Sequence, residues 1–200
     1  LIAASIRSSN VSCVEGVGVR ALDAGASGVE LRLDDGTTMR AMRAVVAAAA
    51  GLAGEPFSAF AAAASVRVKK VVALHVDRVP PPDAAAVFFA QSDAYLMPLP
   101  ARNQWLFSFR ADEWDCRPLK HALEISAPDR LLAMRVVERY LPGSSDAFVG
   151  GRVFCDAYTP SGEPLVERVP GVPVVIAGAG SGAGFRLSPG LADEALRRFD

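Results

Sequence analysis

The stretch AGAGSGAGFRLSP, residues 177–189, lies near the end of the chain, and the prediction of the fold depends on it. Glycine loses more backbone freedom on folding than other residues, so alternate glycines indicate that another group lies close to the backbone, or that the turn packs tightly. The loop follows an apolar strand predicted over residues 172–177. It precedes a helix predicted over residues 189–199, with Ser188 as N-cap and Pro189 at the first position. The alternating glycines are Gly178, Gly180, Gly182 and Gly184.

The composition excludes several classes of function. With 51% hydrophobic and 22% charged residues and a net charge of −1, the 200-residue chain has the balance of a globular protein and no basic nucleic-acid or membrane patch. Its alanine runs are far shorter than the roughly 18 apolar residues of a membrane-spanning helix. Arg7 comes early and no secretory leader pattern follows it. We therefore expect neither a nucleic-acid partner nor a membrane.

Three cysteines, an odd number without metal-ligand spacing, favour a reducing cytoplasm over a disulfide framework. His75 and His121 are far apart, so we predict no metal site. The chain opens on Leu1 within a helix-like segment, residues 1–9, and we expect a fragment, a processed subunit or a trimmed chain.

The element pattern predicts an α+β (mixed α/β) chain. Strands over residues 11–22, 29–33 and 42–51 form a small meander, the third ending on Gly51. A strand over residues 66–76 and three apolar runs within residues 86–110 predict an antiparallel sheet.

One long helix follows over residues 126–140, with Ser126 as N-cap and Pro142 stopping it. Its predicted apolar stripe consists of Leu131, Leu132, Met134, Val136 and Val137.

Two matches to the dinucleotide pattern G-x-G-x-x-G/A mislead. Gly16, Gly18 and Ala21 match it, but a turn follows within a few residues and leaves no room for the required helix. We interpret these glycines as a strand bend or bulge. The match in the glycine loop follows a strand and precedes a helix, yet no second strand completes the unit.

Three stretches taken in order resemble one family. LDDGTTMRAMRAVVAAAAG resembles a segment whose strand ends in Ala-Gly beside a flavin, and AYLMPLPARNQWLFSF resembles substrate-domain strands. The closing stretch, residues 152–196, resembles a Thr-Pro-x-Gly turn followed by a strand, a Gly-Ser-Gly-x-Gly-Phe loop and a last helix. The family is the FAD-dependent oxidoreductases of the D-amino-acid oxidase type, including glycine and sarcosine oxidases. The resemblance implies FAD as cofactor and an amine or amino acid as substrate.

The resemblance also implies site residues. The glycine loop would lie against the pyrimidine edge of the flavin, with the last helix directing its positive end toward the ring. Ala49 and Gly51 would end the strand beside the flavin, and Pro160 belongs to the Thr-Pro turn. The loop positions carried over are Gly180, Ser181, Gly182, Ala183, Gly184 and Phe185.

The substrate side rests on four residues. Arg186 and Arg152 are the predicted carboxylate anchors, because a guanidinium can bind a carboxylate with two hydrogen bonds. Tyr95 and Tyr158 either line the substrate pocket or belong to the core. Cys155 lies near the position where one branch attaches FAD covalently, and is otherwise a buried free thiol.

The chain departs from the family in two ways. The N-terminal Gly-x-Gly-x-x-Gly that holds the pyrophosphate is absent, so the sequence resembles only the C-terminal half to two-thirds of such an enzyme. Where sarcosine oxidases place a lysine over the flavin, this chain offers Phe107 or Ser108, which leaves oxidase and dehydrogenase both open. We predict a partial FAD-binding domain core from residues 1–57 and 146–200, and an antiparallel-sheet substrate domain from residues 58–145.

Three functions follow from these observations. The first is part of a flavin-dependent enzyme that oxidises an amino acid or amine by hydride transfer, its missing part being an N-terminal FAD-binding segment or a second subunit. The second is a cofactor-free binding module or repurposed protein on a flavoenzyme scaffold. The third, a hydrolase using Ser181, fails because Ala179 and Ala183 stand where its motif needs glycines.

Overall fold

The computed structural model describes residues 11–116 and 125–200. The predicted opening segment 1–9 and His121 lie outside the described residues. The described strands form three sheets, in the orders β1-β2-β3, β10-β11-β4 and β6-β7-β8-β5-β9. The strands are β1 Val19–Gly25, β2 Gly28–Leu33, β3 Thr38–Ala41, β4 Ala44–Val46, β5 Arg67–Val76, β6 Val87–Phe89, β7 Ala94–Leu99, β8 Gln104–Trp114, β9 Phe148–Tyr158, β10 Leu165–Arg168 and β11 Val174–Gly178. The helices are α1 Ser58–Ala63, α2 Ala127–Tyr140 and α3 Gly184–Arg197.

The first sheet is the predicted meander with a different third strand and different bounds for the first. The predicted first strand over residues 11–22 is wrong over residues 11–18, and β1 continues through Gly25 into the predicted turn. β1, β2 and β3 pair antiparallel, and Val29 and Leu33 of β2 are buried. The predicted strand over residues 42–51 is wrong as one element: its first part is β4, which leaves this sheet, and Ala49–Ala53 form a 3₁₀ turn. A run of alanines has no β-branched side chain to favour a strand, so the extended conformation ends after Val46.

The second sheet places the glycine loop. β11 pairs antiparallel with β10 and parallel with β4. Residues 174–177 of β11 are all buried, as expected for a strand covered on both faces. The loop begins where this rigid strand ends, and an isolated bridge between Gly180 and Tyr158 links it to β9.

The third sheet is fully antiparallel and has two unlike faces. Val72, Leu74 and Phe107 are completely buried on the face that carries α2. Because side chains alternate along a strand, Ser108 and Arg110 of β8 project to the other face. The antiparallel sheets and few helices confirm the predicted α+β class. β9 falls within the predicted segment 146–200 but is hydrogen-bonded into this sheet, and the domain boundaries stay a prediction.

Helix α2 begins as predicted, but its buried face is different. Ser126 accepts a hydrogen bond from the Asp129 N–H, and Asp129 accepts one from the Ser126 N–H, so the N-terminus is a capping box. Ala133 and Val137 are fully buried, whereas Leu131 is 55% exposed. The predicted stripe is therefore wrong at its N-terminal end, because the sheet contacts the side of the helix that Ala133 occupies.

Helix α3 begins five residues earlier than predicted, at Gly184, with Ala183 as its N-cap. Pro189 lies inside the helix and has no N–H for the Phe185 carbonyl. The Ser188 hydroxyl donates to that carbonyl instead, at 2.8 Å, so the predicted N-cap role of Ser188 is wrong. The positive end of the helix consequently lies at the glycine loop itself.

Candidate functional site

A cavity of about 640 Å³ lies between the glycine loop and the exposed face of the five-stranded sheet. We call it the loop cavity. Loop residues form one wall, and side chains of β5, β7, β8 and β9 form the other. The lining residues are Val71, Phe88, Asp93, Tyr95, Ser108, Phe109, Arg110, Phe154, Asp156, Ser181, Gly182, Ala183 and Arg186.

Two loop glycines are required by close contacts. A Cβ on Gly180 would lie 2.7 Å from the Gly184 Cα, so the chain could not turn into α3. Gly182 has φ +80°, and a Cβ there would lie 3.1 Å from Asp156 Oδ2 and 3.2 Å from Arg110 Nη2. The groups that lie close to the loop backbone, as the alternate glycines predicted, therefore include other residues of the chain: Gly184, Asp156 and Arg110.

The start of α3 presents free N–H groups. In the part of the chain that the structure describes, no protein acceptor pairs with the N–H of Gly182, Gly184, Phe185 or Arg186. The first N–H groups of a helix have no intrahelical partner, and the helix dipole favours negative charge beside them. This edge of the cavity can therefore bind a carbonyl or anionic oxygen.

Arg110 of β8 joins the sheet to the loop. Its Nη1 lies 2.5 Å from Asp93 Oδ2, and its Nη2 donates to the Ser181 carbonyl at 2.7 Å. The guanidinium also lies 5.2 Å from the centroid of the Tyr158 ring. These contacts fix the loop over the sheet, which sets the width of the cavity.

Asp156 of β9 brings a second carboxylate into the cavity wall. Burial raises the pKa of Asp156 above its ordinary value, and the Arg110 charge offsets part of that rise. Burial also raises the pKa of Tyr158 to about 12, so its hydroxyl stays protonated. The cavity wall therefore disfavours the carboxylate form of Asp156, and a cationic ligand beside it would offset that cost.

Two buried hydroxyls near the cavity have no partner among the described residues. Ser108 is 0% exposed, and within these ranges neither its Oγ nor the Tyr158 hydroxyl makes a hydrogen bond. A buried polar atom without a partner costs free energy, and such atoms are found where a ligand completes the hydrogen bonding. The wall therefore suits a ligand with polar atoms, as a flavin ring or an amino acid has.

The predicted site residues are distributed over several places. Ser181, Gly182, Ala183, Arg186 and Tyr95 line the loop cavity. Ala49, Gly180 and Gly184 line an apolar groove behind the loop, described below. Arg152 lines a neighbouring cavity.

The other predicted cofactor residues are not in the lining of the loop cavity. Phe185 is 81% exposed, Pro160 is exposed beside the Thr159 turn, and Gly51 lies in the 3₁₀ turn. Tyr158 is buried at 8% exposure between Arg110 and Trp114, so it contacts the site through Arg110. These assignments stay predictions.

Cys155 projects to the opposite face of the sheet from Asp156, toward Cys116. Burial and the neighbouring Cys116 raise its pKa to about 11, so it is a protonated thiol at neutral pH. The three cysteines Cys13, Cys116 and Cys155 are free. In this arrangement the thiol does not face the loop cavity, and covalent attachment of a flavin to it stays a prediction without geometric support.

Sequence reasoning missed Arg110, Asp93 and Asp156. Alternation along β8 could have found Arg110, because Phe107 and Phe109 mark the core face and Ser108 and Arg110 the other. No sequence signal joins Arg110 to Ser181, 71 residues away, because the contact depends on how the loop folds over the sheet.

The chain belongs to the FAD-dependent oxidoreductase family: the family model described as DAO, FAD dependent oxidoreductase, matches residues 1–198. This confirms the resemblance found in the sequence and the reading of the fold as part of such an enzyme. A comparison with curated proteins gives no match.

Solved structures of similar fold include glycine oxidase from Geobacillus kaustophilus, with 22% identity, a TM-score of 0.68, and 92% of this chain aligned to 49% of that one. Amadoriase I, a fructosyl amine:oxygen oxidoreductase from Aspergillus fumigatus, has 20% identity and a TM-score of 0.71, with coverage of 92% and 46%. L-proline dehydrogenase from P. horikoshii has 14% identity and a TM-score of 0.71, with coverage of 98% and 52%. The chain spans about half the length of these proteins.

None of the helices in the described ranges is long and apolar enough to cross a membrane. Among the same residues, no group of three or more His, Cys, Asp or Glu side chains is placed to hold a metal ion.

Proposed function

We propose that this chain is the substrate-binding part of a flavin-dependent enzyme that oxidises an amine or amino acid, with the reaction taking place in the loop cavity. The observation that carries the proposal is that free N–H groups, two arginines and a half-buried carboxylate surround one cavity. The family match supports the flavin, and the charged lining supports a small zwitterionic or cationic substrate.

The glycine loop would hold the flavin. Gly180, Ser181, Gly182, Ala183 and Gly184 form the backbone edge, and the free N–H groups of α3 would donate to the carbonyl oxygens of the ring. Bound FAD would accept the hydride that leaves the substrate C–H bond. The chain's own contribution is a positive helix end beside the ring, which favours negative charge there.

Asp156 and Arg186 would hold the substrate. Asp156 carries a carboxylate in a partly desolvated wall, where an ammonium group would compensate the cost of its burial. Arg186 lines the same cavity, and no carboxylate of the described residues lies within 4.0 Å of it. Arg186 is thus available to bind a substrate carboxylate, whereas Arg110 is committed to Asp93 and Ser181.

The rest of the cofactor site would come from a nucleotide-binding segment or a second subunit. An apolar groove of about 350 Å³ runs behind the loop. Among the described strands β4, beside this groove, is an edge strand, and its Val45 is 44% exposed. An open parallel edge next to apolar surface is a place where a further strand and helix can pack. This feature favours a flavoenzyme over a cofactor-free module. We expect the enzyme in the cytoplasm, in keeping with its free thiols.

The proposal is tested by anaerobic addition of glycine, sarcosine and proline to the protein from its native host. Loss of the visible flavin absorbance with any amino acid or amine supports the proposal, and a yellow protein that no amine bleaches contradicts it. Arg186→Met should raise the Michaelis constant for an amino acid about tenfold or more and leave the flavin content unchanged. Arg168→Met, an exposed arginine of β10, is the control and should change neither.

A further inference from the structure

A second cavity of about 420 Å³ continues along the same face of the five-stranded sheet. We call it the distal cavity. Tyr95 and Phe154 line both cavities, so the two are neighbours separated by aromatic side chains. The distal cavity is lined by Ala73, His75, Tyr95, Leu99, Arg102, Leu106, Gly151, Arg152 and Phe154.

Strand β9 connects the two cavities with a regular series of side chains. Arg152, Phe154 and Asp156 are alternate residues and therefore share one face. Arg152 lies in the distal cavity, Asp156 in the loop cavity and Phe154 in both. Four residues of strand separate the Cα atoms of the cation and the anion by about 13 Å, and their side chains shorten that gap.

The charge in the distal cavity is uncompensated by the described residues. Arg102 and Arg152 both line it, and within residues 11–116 and 125–200 neither guanidinium has a carboxylate within 4.0 Å. Arg152 instead lies 5.8 Å from the centroid of the Phe154 ring. Arg110, on the same face, is by contrast paired with Asp93 at 2.5 Å. Two arginines facing one cavity without an acidic partner form a site for an anion.

We propose that the substrate is an amine whose far end carries an acidic group. Its ammonium would lie at Asp156 in the loop cavity, its chain would cross Phe154 and Tyr95, and its distal carboxylate would bind between Arg102 and Arg152. This inference rests on the proposed function, and it gives Arg152 a role one cavity away from the flavin loop. It names the substrate class as amino acids or N-substituted amines with a remote acidic group.

The test compares two ligands that differ only in the distal carboxylate, 6-aminohexanoate and hexylamine. Each is titrated into the isotope-labelled protein purified with any bound cofactor or partner retained, and amide shifts of the loop cavity and the distal cavity are followed by NMR. We expect 6-aminohexanoate to bind about tenfold or more tightly than hexylamine, because a charged hydrogen-bonded pair adds that much. It should shift amides at both Gly182 and Gly151.

Arg152→Met and Arg102→Met should each reduce the preference for 6-aminohexanoate severalfold, and the double variant should abolish it. Arg130→Met, an exposed arginine on α2 at the other face of the sheet, should leave it unchanged. Equal affinity of the two ligands in the unaltered chain, absence of binding by 6-aminohexanoate, or a preference that survives both substitutions would overturn the inference. None of these results affects bleaching of the flavin, which tests the proposed function separately.

Discussion

The two faces of the five-stranded sheet are built from alternate residues of the same strands. They differ in whether their polar and charged side chains have partners. The face toward α2 is filled by fully buried Val72, Leu74 and Phe107, and its charged Lys70 is paired with Asp129 at 2.9 Å. The face toward the glycine loop carries a hydroxyl without a partner on Ser108 and arginines without acidic partners among the described residues. One face stabilises the fold, and the other retains unused binding capacity.

The largest expected difference in the free energy of unfolding is between substitutions at two neighbouring residues of β8. Phe107 and Ser108 are both 0% exposed, but they project to opposite faces. Phe107→Ala should lower the free energy of unfolding by about 3–5 kcal/mol, because it opens a cavity in the core. Ser108→Ala removes a hydroxyl that has no partner in the described part of the chain, and should leave stability unchanged or raise it by up to about 1 kcal/mol. Urea denaturation measures both.

A stability loss of similar size in Ser108→Ala would show that its hydroxyl is hydrogen-bonded in the folded chain. That result would remove the distinction between the two faces.

The next largest difference in stability is expected between substitutions at two adjacent lysines of β5. Lys70 is 12% exposed in its side chain and contacts Asp129 and Glu113, whereas Lys69 contacts a 96% exposed Asp112 at 3.9 Å. Lys70→Met should cost about 3 kcal/mol, because it leaves the buried Asp129 without its cation. Lys69→Met should cost less than about 1 kcal/mol. Thermal or urea unfolding of the two variants checks the difference, and equal costs would contradict it.

The smallest effect is a difference in pH dependence between Asp129 and Asp156. Burial opposes ionisation of Asp129, but hydrogen bonds from Ser126 and Lys70 outweigh it and hold its pKa below the ordinary value. Its ionised form therefore stabilises the fold above the ordinary carboxyl pKa, and the contribution is lost as pH falls through the lowered value. The pKa of Asp156 is shifted the other way by burial, so its charge destabilises the fold at neutral pH.

Asp129→Asn should thus destabilise at pH 7, and the difference from the unaltered chain should shrink as pH falls below about 4. Asp156→Asn should stabilise slightly at pH 7, and that gain should also vanish in acid. Melting temperatures between pH 3 and 7 measure both trends. A destabilising Asp156→Asn at pH 7 would show that Asp156 serves the fold and not a ligand.

The sequence predicts those structural features that depend on the residue pattern within one segment. The glycine loop, the antiparallel sheet and the N-cap at Ser126 follow from residue spacing, and the structure contains all three. The start of α3 escaped prediction because Pro189 normally begins a helix, whereas here the Ser188 hydroxyl replaces its missing N–H. The pairing of β4 escaped prediction because its partner β11 lies about 130 residues further along the chain.

The candidate site was predicted on its loop side, whereas on its sheet side Tyr95 was predicted and the charged residues Arg110 and Asp156 were missed. The loop glycines carry a family pattern, but Arg110 and Asp156 lie on different strands, β8 and β9, with β5 between them. Only the pairing of these strands brings both side chains to Gly182. Alternation predicts the face that each residue occupies, but not the element that covers that face.

If the glycine loop and the sheet together hold a flavin, as we propose, the flavin content of two glycine variants will show it. Protein is purified from its native host, and its absorbance between 300 and 550 nm is compared with its peptide content. Gly190 lies in α3 with open space around its Cβ position, so Gly190→Ala is a matched control for Gly182→Ala. We expect a yellow parent protein, an equally yellow Gly190→Ala, and a Gly182→Ala that has lost most of its flavin. A colourless parent, or a Gly182→Ala with full flavin content, would contradict the account.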